Sequence, residues 1–179
     1  MSSDPKVYVR CLSSYNSGKL HGKWISISGK TKDELQDEIN ELLSTSTEEP
    51  AEEWAIHDTE DLEGAGIREH TGLDTLAEFG AIHAENEDTF ERVLALFNHF
   101  CGNTTVEDCL AYHNDNYLGA YSSSRDYAEE QWQNNGNLDS IPEHLRMYID
   151  WDSVVNDMEC NGEHFTIEAG GETHYYRSV

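Results

Sequence analysis

The chain has 179 residues, with 36 Asp and Glu against 11 Lys and Arg and a formal net charge of −25. That length suits one ordinary domain or two to three very small ones, and apolar and aromatic fractions of 37% and 10% are enough to build a core. The charge argues against nucleic acid and anionic membranes as partners, because phosphates would be repelled; self-repulsion on this scale opposes a compact state and calls for a function that uses it.

No apolar run approaches the roughly 18 residues needed to span a bilayer, and the opening MSSDPKVYV has no hydrophobic signal segment. The four cysteines, Cys11, Cys101, Cys109 and Cys160, lie far apart, so reduced thiols in a cytoplasmic protein are expected. Charge is unevenly placed. Residues 1–32 hold six basic residues and one acid, Asp4, whereas residues 33–179 hold 35 acids against five arginines and no lysine.

In chain order, VYVRCL at 7–12 alternates like a strand, SSYNSGKLHG is turn-rich, and KWISI at 23–27 reads as a second strand, together a long-looped hairpin. Thr31 with Glu34 forms a capping-box signature. The helix it opens carries Leu35, Ile39, Leu42 and Leu43 on one stripe. Its other face shows Asp33, Glu34, Asp37, Glu38 and Glu41, like charges at i,i+4 that each cost roughly 0.2–0.5 kcal/mol. Residues 47–64, TEEPAEEWAIHDTEDLEG, hold eight carboxylates, among them Glu48, Glu49, Glu53 and Asp61, and no basic residue; within them WAIHD at 54–58 reads as a third strand. An acidic tail has no such apolar anchor, so these charges are expected on a folded surface.

Gly64 and Gly66 mark a boundary. Residues 67–102 read as helical, with Leu73, Leu76 and Gly80 on one face, Phe90, Val93, Leu94 and Phe97 on another, and Gly102 as a stop. Thr104 with Glu107 predicts a further capping box, YLGAY at 117–121 a strand, and RDYAEEQW a helix ending near Asn135–Gly136. Pro142 suits the first turn of a short helix. Asp150 suits the cap of WDSVVNDME, whose Trp151, Val154, Val155 and Met158 share a face, and HFTIEAGGETHYY reads as a terminal hairpin turned at Gly170–Gly171. The fold class expected is α+β, an elongated chain of three small domains: 1–66, an antiparallel sheet plus helix; 67–104, helical; and 105–179, mixed α/β with an antiparallel sheet.

Chemical motifs are weak. His99, Cys101, Cys109 and His113 fit zinc spacing only in part, and cysteines in apolar helical patterns are commonly just buried. Asp58 to Glu69 has the length of an EF-hand loop but places Leu62 at the fifth position and Glu63 where glycine belongs. Paired carboxylates are unavoidable in so acidic a chain, and no nucleophile elbow, phosphate loop or dinucleotide fingerprint accompanies them. An acidic divalent-cation-binding or hydrolytic protein is the alternative reading, and an adaptor for another basic partner a third. No metal, cofactor or catalytic residue is assigned.

Composition leaves two readings equally open: a merely solvated acidic face, or carboxylates that are themselves the function. Duplex DNA carries one charge per roughly 1.7 Å, so 25 charges correspond to about 42 Å of duplex. A globule of this length is about 40 Å across, so the charge per unit length resembles that of DNA. Such a body would be steered quickly into a basic nucleic-acid channel.

Four strings carry a resemblance: YVRCLSSYNSGKLHGKWISI, AEEWAIHD, YLGAYSSSRDYAEE and LRMYIDWDSVVNDM, in this order over nearly the whole chain. AGIREHTGLDTLAEFGA and ETHYYRSV match less clearly. Together the strings resemble ArdA, the antirestriction proteins of conjugative plasmids and transposons. The resemblance implies a non-enzymatic DNA mimic that occupies the DNA-binding groove of the methyltransferase core of type I restriction–modification enzymes. It also implies an elongated three-domain homodimer, paired through the C-terminal domain, where YIDWDSVVNDME lies. The expected phosphate-mimicking residues are Asp33, Asp37, Glu41, Glu48, Glu49, Glu53 and Asp61, then Glu78, Glu85, Asp88, Asp115, Asp126, Glu129, Glu130, Asp152, Asp157 and Glu159. The basic N-terminal segment is awkward for such a mimic, and Lys19, Lys23, Lys30 and Lys32 are expected to pair with acids or to lie off the mimic face.

Overall fold

A computed structural model describes residues 4–62, 66–101 and 103–179; Glu63, Gly64 and Gly102, which the sequence reading uses as an acid, a boundary and a stop, lie outside them. The described residues form two three-stranded antiparallel sheets and eight α-helices, an α+β fold. The chain separates into two compact units, one ending at Ala111 and the other running from Tyr112 to Val179. The positions 66 and 104 both fall within the first.

In the first unit, β1 (Lys6–Cys11) is central, flanked by β2 (Gly22–Ser26) and β3 (Trp54–Glu60). Period-two alternation puts Val7, Val9 and Cys11 on one face, where they are buried with their cross-strand neighbours Ile25 and Ile56. Helix α2 (Lys32–Ser44) covers that face with Leu35, Ile39, Leu42 and Leu43, the predicted stripe. Its capping box is formed as expected: the Thr31 hydroxyl accepts the Glu34 N–H, and the Glu34 carboxylate accepts the Thr31 N–H at 2.9 Å.

The turn-rich segment after β1 differs from expectation. Leu12–Asn16 winds into a five-residue helix, α1. It is too short to be stable alone, and tertiary bonds hold it: Leu12 N–H donates to the Glu53 carbonyl at 3.0 Å, and the Ser14 and Ser46 hydroxyls meet at 2.9 Å. The stretch 67–102, read as helical with two apolar faces in succession, forms two helices, α3 (Leu73–Glu85) and α4 (Glu87–His99). The break is Asn86, extended at φ −159°, whose side-chain carbonyl caps α4 by accepting the Thr89 N–H at 2.8 Å; Glu87 and Asp88 then favour the positive end of the helix. The two helices meet through Phe79, edge-on to Phe90 and Phe97. Helix α3 packs on the β2–α2 connection, where Gly29 N–H donates to the Gly80 carbonyl at 2.8 Å.

The next helix is α5 (Val106–Asn116), and its capping box sits one residue later than predicted. Thr105 and Asp108, rather than Thr104 and Glu107, exchange the capping bonds, at 3.0 and 3.4 Å. The division between the units falls inside this helix.

In the second unit β6 (Glu172–Arg177) is the central strand, between β4 (Tyr117–Ala120) and β5 (His164–Ala169). The β5–β6 hairpin turns at Gly170 and Gly171, both left-handed at φ 58° and 80°, as a two-residue primed turn requires. Both faces of this sheet are packed with rings: Tyr127 of α6 (Ser124–Asn134) stacks on Tyr175 at 4.4 Å on one, and Phe165 stacks on Tyr176 at 5.6 Å on the other. Polar ends find partners, Tyr176 hydroxyl with His113 Nδ1 at 2.8 Å and Tyr117 hydroxyl with His174 Nδ1 at 2.9 Å. Pro142 precedes α7 (Glu143–Arg146) as its N-cap rather than opening its first turn. Asp150 caps α8 (Trp151–Cys160) by accepting the Ser153 N–H, and Trp151, Val154, Val155 and Met158 pack with Ala128 and Leu138, as their spacing predicts.

Candidate partner-binding surface

Burying one stripe of α2 leaves its acids outside by helical periodicity alone. Asp33, Asp37 and Glu41 are exposed, while Glu38 is half-buried. The connection from α2 to β3 carries exposed Glu49, Glu52 and Glu53, and β3 runs out into exposed Asp58, Glu60 and Asp61. In α3, Asp74, Glu78 and Glu85 are exposed, as is Asp88 at the start of α4. In the second unit Asp126 and Glu130 of α6 and Asp152, Asp157 and Glu159 of α8 are exposed, as is Asp115 of α5. Of the seventeen residues expected to mimic phosphates, only Glu48 and Glu129 are half-buried.

The lysines are placed by the same fold. Lys23 of β2 and Lys30 converge on Glu38, Lys23 at 3.2 Å, and Lys23 also reaches Glu41 at 3.5 Å. Lys19 pairs with Glu48, Lys32 with Asp74 at 2.7 Å, and Lys6 with Asp4 at 3.1 Å. Burial works against the charge of Glu38, but its bonds to Lys30 and Lys23 hold its carboxyl below the usual range. The Lys19 and Ser17 bonds do the same for Glu48. So all five lysines are engaged by carboxylates, which satisfies the pairing expected of Lys19, Lys23, Lys30 and Lys32. These pairs also reveal what sequence reasoning missed: Glu41 and Glu48 share their oxygens with lysines, whereas Asp33 and Asp37 stand free of ion pairs among the described residues.

Glu78 shows the opposite electrostatics. Although its side chain is exposed, the loss of part of its hydration, with Asp74 and Glu107 nearby, raises its pKa above the ordinary value. A carboxyl whose folded pKa is raised destabilises the fold where it is ionised and stops doing so as pH falls through that pKa. Glu78→Gln is therefore expected to raise the melting temperature at pH 7, and the gain over wild type should vanish as the buffer is acidified to pH 4. A thermal melt at both pH values checks this, and an unchanged or lower melting temperature at pH 7 would contradict it.

A cleft of about 590 Å³ opens between the end of α2 and the 46–52 segment, lined by Asn40, Leu43, Ser44, Ser46, Glu49, Pro50, Ala51 and Glu52. Among the described residues, no three His, Cys, Asp or Glu side chains gather as a metal site, and no helix is long and apolar enough to cross a membrane. Cys109 is buried, and burial pushes its thiol up to about 11, the behaviour of a packing residue rather than a ligand.

Compared with models of protein families, the sequence matches the one described as Antirestriction protein (ArdA) over residues 7–173. No curated protein matches it in a sequence search.

Proposed function

The chain belongs to the ArdA family, non-enzymatic antirestriction proteins that inhibit restriction systems, and from that premise we propose that it inhibits as a DNA mimic. Its exposed carboxylates stand in for backbone phosphates in the DNA-binding groove of the methyltransferase core of a type I restriction–modification enzyme. One observation supports this most: every lysine is drawn into an ion pair while the great majority of the acids on α2, α3, α6 and α8 remain exposed, so the outward field stays negative. The seventeen acids from Asp33 to Glu159 act together on this reading, carried by three small segments, 1–66, 67–104 and 105–179. Two copies pair through the C-terminal segment, where Leu145, Met147 and Tyr148 are exposed, the last two by more than 75%; exposed Met and Tyr suit the centre of an interface better than solvent.

A competition assay tests the reading. The protein should displace a DNA duplex from a purified type I methyltransferase core, with affinity falling steadily as salt rises, because the basic groove exchanges its counterions for carboxylates as it does for phosphates. A salt-independent inhibition constant, or binding that leaves the DNA in place, would rule mimicry out.

A further inference from the structure

We propose that the outer face of the first sheet, centred on Arg10, docks an Asp or Glu side chain of a protein partner, a contact separate from the acidic surface. The proposal rests on the inhibitory function above in one respect: the inhibited enzyme is taken as that partner.

The alternation that buries Val7, Val9 and Cys11 turns Tyr8 and Arg10 to the opposite face of β1. The cross-strand neighbours of Arg10 there are Gly22 on β2 and Ala55 on β3, the two smallest residue types, so neither rises beside it. Tyr8 lies over the bare Gly22, where a Cβ would come within 2.8 Å of its ring. Tyr15 of α1 closes on Arg10 from the other side, with the His57 ring edge-on to it at 5.0 Å. The guanidinium carbon is 5.4 Å from the centres of both tyrosine rings, inside cation–π range. Trp24, 40% exposed, packs on Tyr8 at 5.2 Å and extends the platform.

The cation held in this frame lacks an acceptor. Arg10 Nε is buried with no hydrogen-bond partner, while the residue as a whole is partly exposed. Asp58, opposite Tyr8 in the register, makes no ion pair with it. The five lysines each have a carboxylate, so Arg10 is the one basic residue of segment 1–32 without one among the described residues. That segment, awkward for a phosphate mimic, has no acid between Pro5 and Lys32.

This chemistry names the occupant. A carboxylate matches the guanidinium fork through two parallel N–H bonds, and the rings on either side take its apolar neighbours. Tyr, Trp and Arg are the residues enriched where protein interfaces concentrate their binding energy. A DNA duplex, with one charge per roughly 1.7 Å, would be repelled by the acids over the rest of the surface. A single carboxylate meets only the local field, because charges beyond about 8 Å are screened at physiological salt.

Two measurements test this. Acetyl-Leu-Asp-Leu amide titrated into the isotope-labelled protein should saturably shift the Arg10 Nε–H and Trp24 indole N–H resonances, and acetyl-Leu-Asn-Leu amide should shift neither. Inorganic phosphate moving both resonances as far as the acidic peptide does would reduce the face to a general anion site and overturn docking. The second measurement turns on a sign. Arg10→Gln makes the chain one charge more negative, so mimicry alone predicts inhibition of a type I enzyme at least as strong as wild type. Docking predicts inhibition about tenfold weaker. Arg10→Lys, which keeps the charge but loses the fork, and Trp24→Ser, which leaves Arg10 in place, should also weaken it, with circular dichroism confirming that each fold is retained. Undiminished inhibition by all three variants would overturn docking and leave mimicry standing. A wild-type protein that binds the acidic peptide yet inhibits no type I enzyme would remove the proposed function and keep the carboxylate site.

Discussion

Replacing Asp33, Asp37, Glu78 and Glu85 by their amides in one variant is expected to weaken inhibition of a type I restriction enzyme by about thirtyfold. Each single replacement should cost only about two- to threefold. Exposed charge pairs contribute roughly 0.2–1 kcal/mol each, so four come to about 2 kcal/mol in mid-range, and 1.4 kcal/mol is a factor of ten. All four carboxylates are exposed, on α2 and α3. A second comparison sharpens the expectation. Asp33→Asn with Asp37→Asn removes the same charge as Glu41→Gln with Glu48→Gln, so both pairs should slow association equally. The oxygens of Glu41 and Glu48 are already engaged by Lys23 and Lys19 and have less capacity for a direct contact, so only the Asp33/Asp37 pair should also speed dissociation noticeably. Surface-binding kinetics at two salt concentrations measure both rates. A fourfold variant that inhibits like wild type would count decisively against distributed mimicry.

What the sequence made visible, and what it did not, follows the range of the interactions involved. The capping box of Thr31 and Glu34, the stripe Leu35–Ile39–Leu42–Leu43 and the primed turn at Gly170–Gly171 depend on partners within a few residues, and all three form as read. Helix α1 escaped because five residues show no period, and its stability comes from Ser46 and Glu53. The break at Asn86 was readable in principle, since Asn followed by Glu87 and Asp88 is a helix start, but two adjoining apolar patterns hid it. The string YNSGKLHGKW was conspicuous without a reason. In the fold Gly22 lies so close beneath Tyr8 that a Cβ would come within 2.8 Å of its ring, and Tyr8 packs on Trp24 at 5.2 Å, so the string builds the outer face of the sheet. Exposure of the acids was legible because helical periodicity decides it. Which of them are neutralised was not, because Lys23, Lys30 and Glu38 meet only after β2 and α2 have packed together.

Gly80→Ala is expected to lower the stability of the first unit by about 2 kcal/mol, although intrinsic helix propensity alone would favour alanine by about 1 kcal/mol at a position inside α3. Gly80 is buried, and a Cβ there would run into the Ile27 carbonyl, a backbone group held by the β2–α2 connection rather than a side chain that can turn aside. Overpacking of this kind costs about 1–3 kcal/mol, and displacing the helix also weakens the 2.8 Å bond from Gly29 N–H to the Gly80 carbonyl. The steric terms outweigh the propensity gain. The consequence reaches the acidic surface, because the same contact sets α3 against the connection that leads into α2. With α3 displaced, Lys32 loses its 2.7 Å partner Asp74, and the free lysine stands among the exposed carboxylates proposed above to stand in for phosphates. The variant should therefore melt roughly 10 °C lower, exchange the Gly29 amide proton faster, and inhibit less well even below its melting temperature. An alanine variant as stable as wild type, with Gly29 still protected, would show that the helix does not approach the strand connection this closely.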